Sequence, residues 1–389
     1  MSEITLGIEE ELMIVDPRSR DVVADPDEGI MARAVELAGE HKVVSEFMRS
    51  QIETNSRVCG SVAEVRQSLK ETRRCAIEAA REHGARVIAS STHPWARWQE
   101  QQVTQKERYQ RAEIDFQDTV RQFFIGGMHI HAGFGDDDRR IAVMHALRGY
   151  LALFLVLSCS SPFHGGRLTG LKSYRQMAIG ALPRTGTPPA MRTRADYDAV
   201  VARYEAIRAI EDGSELRWDI RPSASYATIE LRICDICPRI EDAVAIAALY
   251  ACLIRNMNAR LDAGERLQEA PTESVDEGRW IAQRYGTFAF LPRPDGKDGR
   301  IDVAELAGEL VAALRDDARA LGCESALARV EHIVALGNSA DRQEDVYRQA
   351  MLDGADSAEA LRAVVDSVIA ETEREDASAS APAEETESG

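Results

Sequence analysis

Three consecutive acids, Glu9, Glu10 and Glu11, sit inside the apolar run Leu6-Gly7-Ile8-Glu9-Glu10-Glu11-Leu12-Met13-Ile14-Val15. Apolar residues on both sides make this segment a strand, and side chains alternate faces along a strand. Glu9 and Glu11 therefore project together, about 7 Å apart. Ile8, Glu10 and Leu12 point the other way. Like charges held that close on a rigid element repel and resist burial, so something positive belongs over that face, and a divalent cation is the economical choice. A solvated edge strand is the plain alternative for this segment taken alone. On the strand reading Glu10 faces the helices and is dispensable unless it meets a basic partner.

Three later segments repeat the pattern. In Gln51-Ile52-Glu53-Thr54-Asn55 the residues Gln51, Glu53 and Asn55 share a face opposite Ile52. His129 and His131 share one opposite Met128, Ile130 and Ala132, and Thr228, Glu230 and Arg232 lie against Ile229, Leu231 and Ile233. One sheet follows, its apolar face covered by helices and its polar face open. An ordinary solvent face carries Thr, Lys, Gln and Ser, whereas this one offers four glutamates, histidine and arginine. Carboxylates with an imidazole are ligands for Mg²⁺ or Mn²⁺; a structural zinc site would use thiolates. Several carboxylates argue for more than one ion, and multiple ions beside an arginine suit phosphoryl transfer.

Around these strands the chain reads as alternating elements, then helices. Apolar spacing predicts helices over residues 30–38, 112–124, 137–157 and 193–211, and a capping box, Ser61 to Glu64, launches one ending near His83-Gly84. Strands are expected over residues 86–91 and 217–221. The irregular piece from Ser160 to about Arg192 carries Arg167, Lys172, Tyr174, Arg175 and Arg184, and it reads as an ordered anion-binding loop. An amphipathic helix over residues 240–261 and further helices over 303–321, 325–336, 340–352 and 357–369 form a bundle. A single domain over residues 1–370 is expected. Residues 371–389, acidic and without an aromatic, should be a disordered solvated tail.

A formal net charge of −18 argues against nucleic acid or an anionic membrane as the main partner, because binding a phosphate backbone needs clustered Lys and Arg. The N-terminus lacks a signal-peptide pattern, and the apolar run Tyr150–Leu157 is far shorter than the roughly 20 residues a bilayer span needs. Seven scattered cysteines are no disulfide framework, and a reducing cytoplasm fits them. The residues around Gly166–Ser173 have the wrong spacing for a phosphate-binding P-loop, and dinucleotide, zincin and nucleophile-elbow motifs are absent from the sequence. Cys234 and Cys237 have C-x-x-C spacing without a second pair, which favours structural thiols over a redox or zinc role.

In order, Gly7-Ile8-Glu9-Glu10-Glu11, Gln51 to Asn55, Gly127 to His131, the loop Ser161-Pro162-Phe163 through Pro188-Pro189, and Trp218 to Pro222 with Glu230-Leu231-Arg232 resemble the type 2 glutamate-cysteine ligase family. These YbdK-like carboxylate-amine ligases belong to the glutamine synthetase fold superfamily, and the resemblance covers roughly residues 4 to 370. It implies an α+β fold with a curved, mainly antiparallel sheet whose concave face holds ATP and Mg²⁺ (or Mn²⁺). Carried over, Glu9, Glu11, Glu53, His129 and Glu230 are the implied metal ligands, and Arg232 the implied catalytic contact to the transferred phosphoryl group. Arg221, His131, Asn55, Tyr174, Arg175 and Arg184 are implied substrate or nucleotide contacts. The resemblance also implies amino-acid and amine substrates and a homo-oligomer, a dimer being favoured.

The implied reaction forms an amide through an acyl phosphate, with glutamate and cysteine as reference substrates. One departure from the family pattern is Leu168, where an acidic residue is expected in the substrate loop. Two other readings are a guanidine phosphotransferase of the same superfamily, which would transfer phosphate without forming an amide, and a non-catalytic regulatory protein that binds metal through Cys234 and Cys237.

Overall fold

The structure, a computed structural model, describes residues 3–374. At its centre, β1 (Thr5–Val15), β2 (Lys42–Ser45), β3 (Gln51–Asn55), β4 (Arg86–Ile88), β5 (Met128–Gly133), β6 (Ile220–Pro222) and β7 (Thr228–Leu231) form one sheet. Their order is β6-β7-β5-β1-β3-β2, and every pairing is antiparallel. β5 and β4 pair with successive halves of β1, opposite β3. The expected α+β class with an antiparallel sheet and flanking helices is what the chain adopts.

Register assembles the polar face. Glu9 lies opposite His129 on one side and Asn55 on the other, Glu11 opposite Glu53, and Glu230 between His131 and Arg221. Directly opposed residues point to the same side of a sheet, so these pairs meet without any loop to carry them. Beneath them Ile8, Leu12, Ile52, Ile130, Ile229 and Leu231 are buried in one core with the helices Val62–Glu82 and Ile240–Asp262. The second of these was expected to be amphipathic. Instead, Asp242 to Ile254 is buried all round, because the helix Glu324–Leu336 packs over it and closes its outer side.

Several expected elements are broken. The segment 112–124 is the helix Glu107–Phe116 and a short turn, Asp118–Arg121, parted at Gln117, whose φ of 48° cannot continue a right-handed helix. Asp137–Leu147 and Leu151–Ser158 are joined by a 3₁₀ turn at Arg148–Tyr150. A Cβ on Gly149 would lie 2.4 Å from the Pro294 carbonyl oxygen, so this turn accepts no side chain there. Taken together the run is long and apolar enough to cross a membrane, but it lies mostly buried inside the fold.

The irregular segment after Ser158 is ordered, and a buried carboxylate organises it. Asp235 accepts from the Ser160 amide (2.9 Å) and from the hydroxyls of Ser161 (2.7 Å) and Ser173 (2.8 Å). Lys172 is not free to bind an anion, since its ammonium pairs with Asp341 and Glu344 at 2.8 Å each. The sequence reading also missed the helix Thr272–Tyr285 and the ribbon Phe290–Pro292 with Arg300–Asp302. At the far end, the last helix is Ser357–Thr372. Glu371 and Glu373 pair with Arg342 and Arg86, so the folded part passes the boundary expected at residue 370. The remainder of the expected tail, 375–389, lies outside the described residues.

Candidate active site

Two groups of charged side chains stand on the polar face, side by side along β1. Glu9, His131 and Glu230 each place a ligand atom within 4.8 Å of the others. His131 Nε2 is 3.2 Å from Glu9 Oε1, with its Nδ1 held 3.0 Å from the Thr228 hydroxyl. His129 Nδ1 lies 3.3 Å from Glu9 Oε2 and 3.9 Å from Glu230 Oε1. The set with ligand spacing therefore contains His131, expected as a substrate contact, and His129 lies beside the same two carboxylates. Two arginines hold Glu230: Arg221 Nε donates at 2.8 Å, and Arg232 bonds the other oxygen. Arg232 also reaches His129 Nδ1 at 3.4 Å.

The electrostatics follow from those contacts. Burial pushes the Glu9 carboxyl up, but side-chain hydrogen bonds from His129 and His131 outweigh it and hold the group well below the usual carboxylate range. Glu230 is likewise held down, burial being overcome by Arg232 and Arg221. Burial, aided by Arg232, lowers His129 to about 4, so its ring is neutral and free to ligate at neutral pH.

The second group was only partly legible. Glu11 accepts from the Gly127 amide at 2.7 Å, and Glu53 accepts from the Asn55 side-chain amide at 2.8 Å. Glu46, in the connection between β2 and β3, joins them. Burial first, and then the charges of Glu11 and Glu53, drive its carboxyl well above the ordinary value. Glu11 itself rises to about 7, chiefly by burial, with Glu53 adding to it. Nothing periodic marks Glu46 in the sequence; only the turn that brings residues 45–47 over β3 places it there. Asn55, expected to touch substrate or nucleotide, here orients Glu53.

Arginines border the carboxylates. Arg217, Arg184, Arg221 and Arg232 stand near enough that burial and mutual repulsion lower Arg217 to about 10. Arg217 was not singled out from the sequence. Arg184 and Arg217 both lie over the Phe116 ring, at 5.8 and 5.2 Å. Arg175 is buried and donates to the carbonyls of Arg232 and Ile233, bracing the end of β7. Its guanidinium passes so close to Gly127 that a Cβ there would lie 2.6 Å away, which favours glycine just before β5. Tyr174 stacks on His164 at 4.1 Å. Cys234 and Cys237 are buried, with Cys234 pushed up to about 12 by burial, so neither offers a thiolate at neutral pH.

Residues 5–367 match the family described as glutamate-cysteine ligase family 2 (GCS2). The chain belongs to that family. It is 40% identical over 371 residues, 95% of either chain, to a Rhodospirillum rubrum protein named "Putative glutamate--cysteine ligase 2". A Jannaschia sp. protein of the same name is 37% identical, covering 94% of this chain and 96% of its own. The fold is shared with a Francisella tularensis glutamate-cysteine ligase solved in complex with AMP, at a TM-score of 0.69 and 13% identity, over 96% of this chain and 90% of that one. A bifunctional glutathione synthetase from Pasteurella multocida gives a TM-score of 0.67 at 14% identity, over 95% of this chain and 52% of that one. As a member of glutamate-cysteine ligase family 2, the protein is an ATP-dependent ligase.

Proposed function

We propose that the protein joins glutamate to cysteine, with ATP, to give γ-glutamylcysteine, ADP and phosphate. The observation that carries this is the polar face itself: four glutamates and two histidines on adjacent antiparallel strands, with Arg232 at their centre, in a member of this ligase family. A carboxylate oxygen of the first substrate attacks the terminal phosphorus of ATP, the bond to ADP breaks, and an acyl phosphate forms. The amine nitrogen of the second substrate then attacks the acyl carbon, the C–O bond to phosphate breaks, and the nitrogen loses a proton as the amide appears.

The donor set fits Mg²⁺ or Mn²⁺. Oxygen and imidazole ligands suit these ions, and burial with mutual repulsion raises the crowded carboxyls of Glu11 and Glu46, a repulsion that a cation would relieve. Glu9, His129, His131 and Glu230 would hold one ion and Glu11, Glu46 and Glu53 another. Bound there, the ions would supply charge neutralisation for phosphate oxygens. Arg232, fixed by Glu230, would meet the charge that develops on the phosphoryl group, and Arg221 keeps the Glu230 carboxylate aimed.

The test is ATP consumption over a panel of amino acids and amines with Mg²⁺ or Mn²⁺, products being identified by mass, with hydroxylamine added to trap the acyl phosphate as a hydroxamate. γ-Glutamylcysteine with glutamate and cysteine, and a glutamyl hydroxamate with hydroxylamine, are expected. Glu230→Gln or Arg232→Ala should cut ADP release by about 100-fold or more. A phosphorylated guanidine without an amide product would replace this reading with the phosphotransferase.

A further inference from the structure

We propose that Arg279, on the helix Thr272–Tyr285, is a positioning residue for Arg232, acting on it through Asp219 and Gln176. The inference rests on the role given above to Arg232 in phosphoryl transfer. Arg232 stands one residue past the end of β7, beyond the last ladder pair of β6 and β7, Ile220 with Leu231. Its backbone must therefore be held by other groups.

Asp219, just before β6, and two side chains of the short helix Tyr174–Ile179 hold it. The Asp219 carbonyl accepts from the Arg232 amide at 2.8 Å and from the Ile233 amide at 3.0 Å. Arg175 donates to the Arg232 and Ile233 carbonyls at 3.1 and 3.2 Å, and Gln176 Nε2 donates to the Ile233 carbonyl at 2.6 Å. Each backbone donor and acceptor of Arg232 and Ile233 is thus engaged.

Arg279 joins the holders from behind. Its Nε lies 2.9 Å from Asp219 Oδ2, and a terminal nitrogen donates to Gln176 Oε1 at 2.6 Å. Among the described residues it is the one cation within ion-pair distance of Asp219, which, like Gln176, is buried. With a carbonyl before its Nε2 and a guanidinium before its Oε1, the Gln176 amide fits only one way round. Without Arg279, Asp219 would keep a buried charge with no ion pair and Gln176 an unfilled acceptor, and both would turn toward other partners. That movement passes directly to the peptide that carries the Arg232 side chain. A misplacement of about 1 Å at a group that acts on the reacting atoms can cost about 100-fold in rate.

Arg279→Gln and Arg279→Lys test this, each checked for a native unfolding midpoint. In the free protein, deuterium uptake at the amides of Arg232 and Ile233 should quicken about tenfold in Arg279→Gln. In Mg²⁺-dependent ADP release, kcat should fall about tenfold or more, with KM for ATP within about twofold of wild type. Lysine keeps a charge facing Asp219 and should restore part of both. If glutamine prevents folding, lysine decides: a partial change in both readouts supports the role, and wild-type values in both overturn it. Wild-type exchange at residues 232 and 233, or kcat unchanged in both variants, likewise overturns it. Activity retained by Arg232→Ala would instead refute the role given to Arg232, a result separable from the exchange measurement, which needs neither ATP nor metal.

Discussion

Glu10 and Arg73 are both closed to solvent on the helical side of β1, joined by two hydrogen bonds of 2.6 and 2.8 Å. Arg73 also donates to the carbonyls of Cys237 and Pro238, so one guanidinium ties β1 to the segment after β7. Strand alternation placed Glu10 correctly, but the expectation that it is dispensable depended on its having no basic partner, and it has one. Removing one member of a buried pair leaves the other charged and unsatisfied, at a cost of about 3–5 kcal/mol. Glu10→Ala should therefore lower stability to chemical denaturation by that amount; replacement of both residues by methionine should cost less than Glu10→Ala alone. An unchanged denaturation midpoint in Glu10→Ala would refute the assignment. At the same scale, alternation placed Glu9, Glu11, Glu53 and Glu230 on one face of the sheet, where the register sets them. It could not rank His129 against His131, because both share one face and only the rotamers and the Thr228 contact separate them.

Elements carried by period-two alternation were legible almost to the residue, β3 above all, because a half-buried strand repeats its pattern on every second side chain. Breaks within helices were not. The positive φ at Gln117 and the 3₁₀ turn at Arg148–Tyr150 answer to neighbouring backbone rather than to local periodicity. Connections between elements also depend on single buried groups. His93 follows β4; its Nε2 bonds the Arg20 carbonyl at 2.8 Å, and its Nδ1 accepts from the Ala96 amide at 3.1 Å. That geometry requires a neutral ring donating from Nε2. Burial accordingly lowers His93 to about 4, below the ordinary 6.5. The unfolded chain takes up the proton first, so the stability from this group is complete above about pH 6.5 and is lost as pH falls toward 4. Between pH 7 and pH 5, wild type should lose about 2 kcal/mol more than His93→Gln, which cannot titrate. Parallel stability curves for the two proteins would exclude this role.

At the scale of the whole molecule, the sheet brings strands separated by more than 200 residues into one charged floor, and a cation bound there stabilises only the folded chain. Mg²⁺ or Mn²⁺ at about 100 times its dissociation constant should add about 2.7 kcal/mol to the unfolding free energy, and a chelator should reverse it. Glu11→Gln combined with Glu53→Gln should reduce the increment; if thermal and denaturant unfolding ignore both metal and chelator, the proposed ligand sets are wrong. By itself the sequence determined the four strands that carry the polar face, the side of the sheet on which Glu9, Glu11, Glu53, His129, His131 and Glu230 stand, and the family, since alternation and ordered motifs are local properties; β2 and the ribbon Phe290–Pro292 with Arg300–Asp302 left no such record. Tertiary structure alone decided that Glu46 joins Glu11 and Glu53, that Arg217 gathers with Arg184, Arg221 and Arg232, and that Lys172 is tied to Asp341 and Glu344. The physical reason is the same in each case. These contacts join residues far apart along the chain or set in irregular connections, where no period records which side chains will meet.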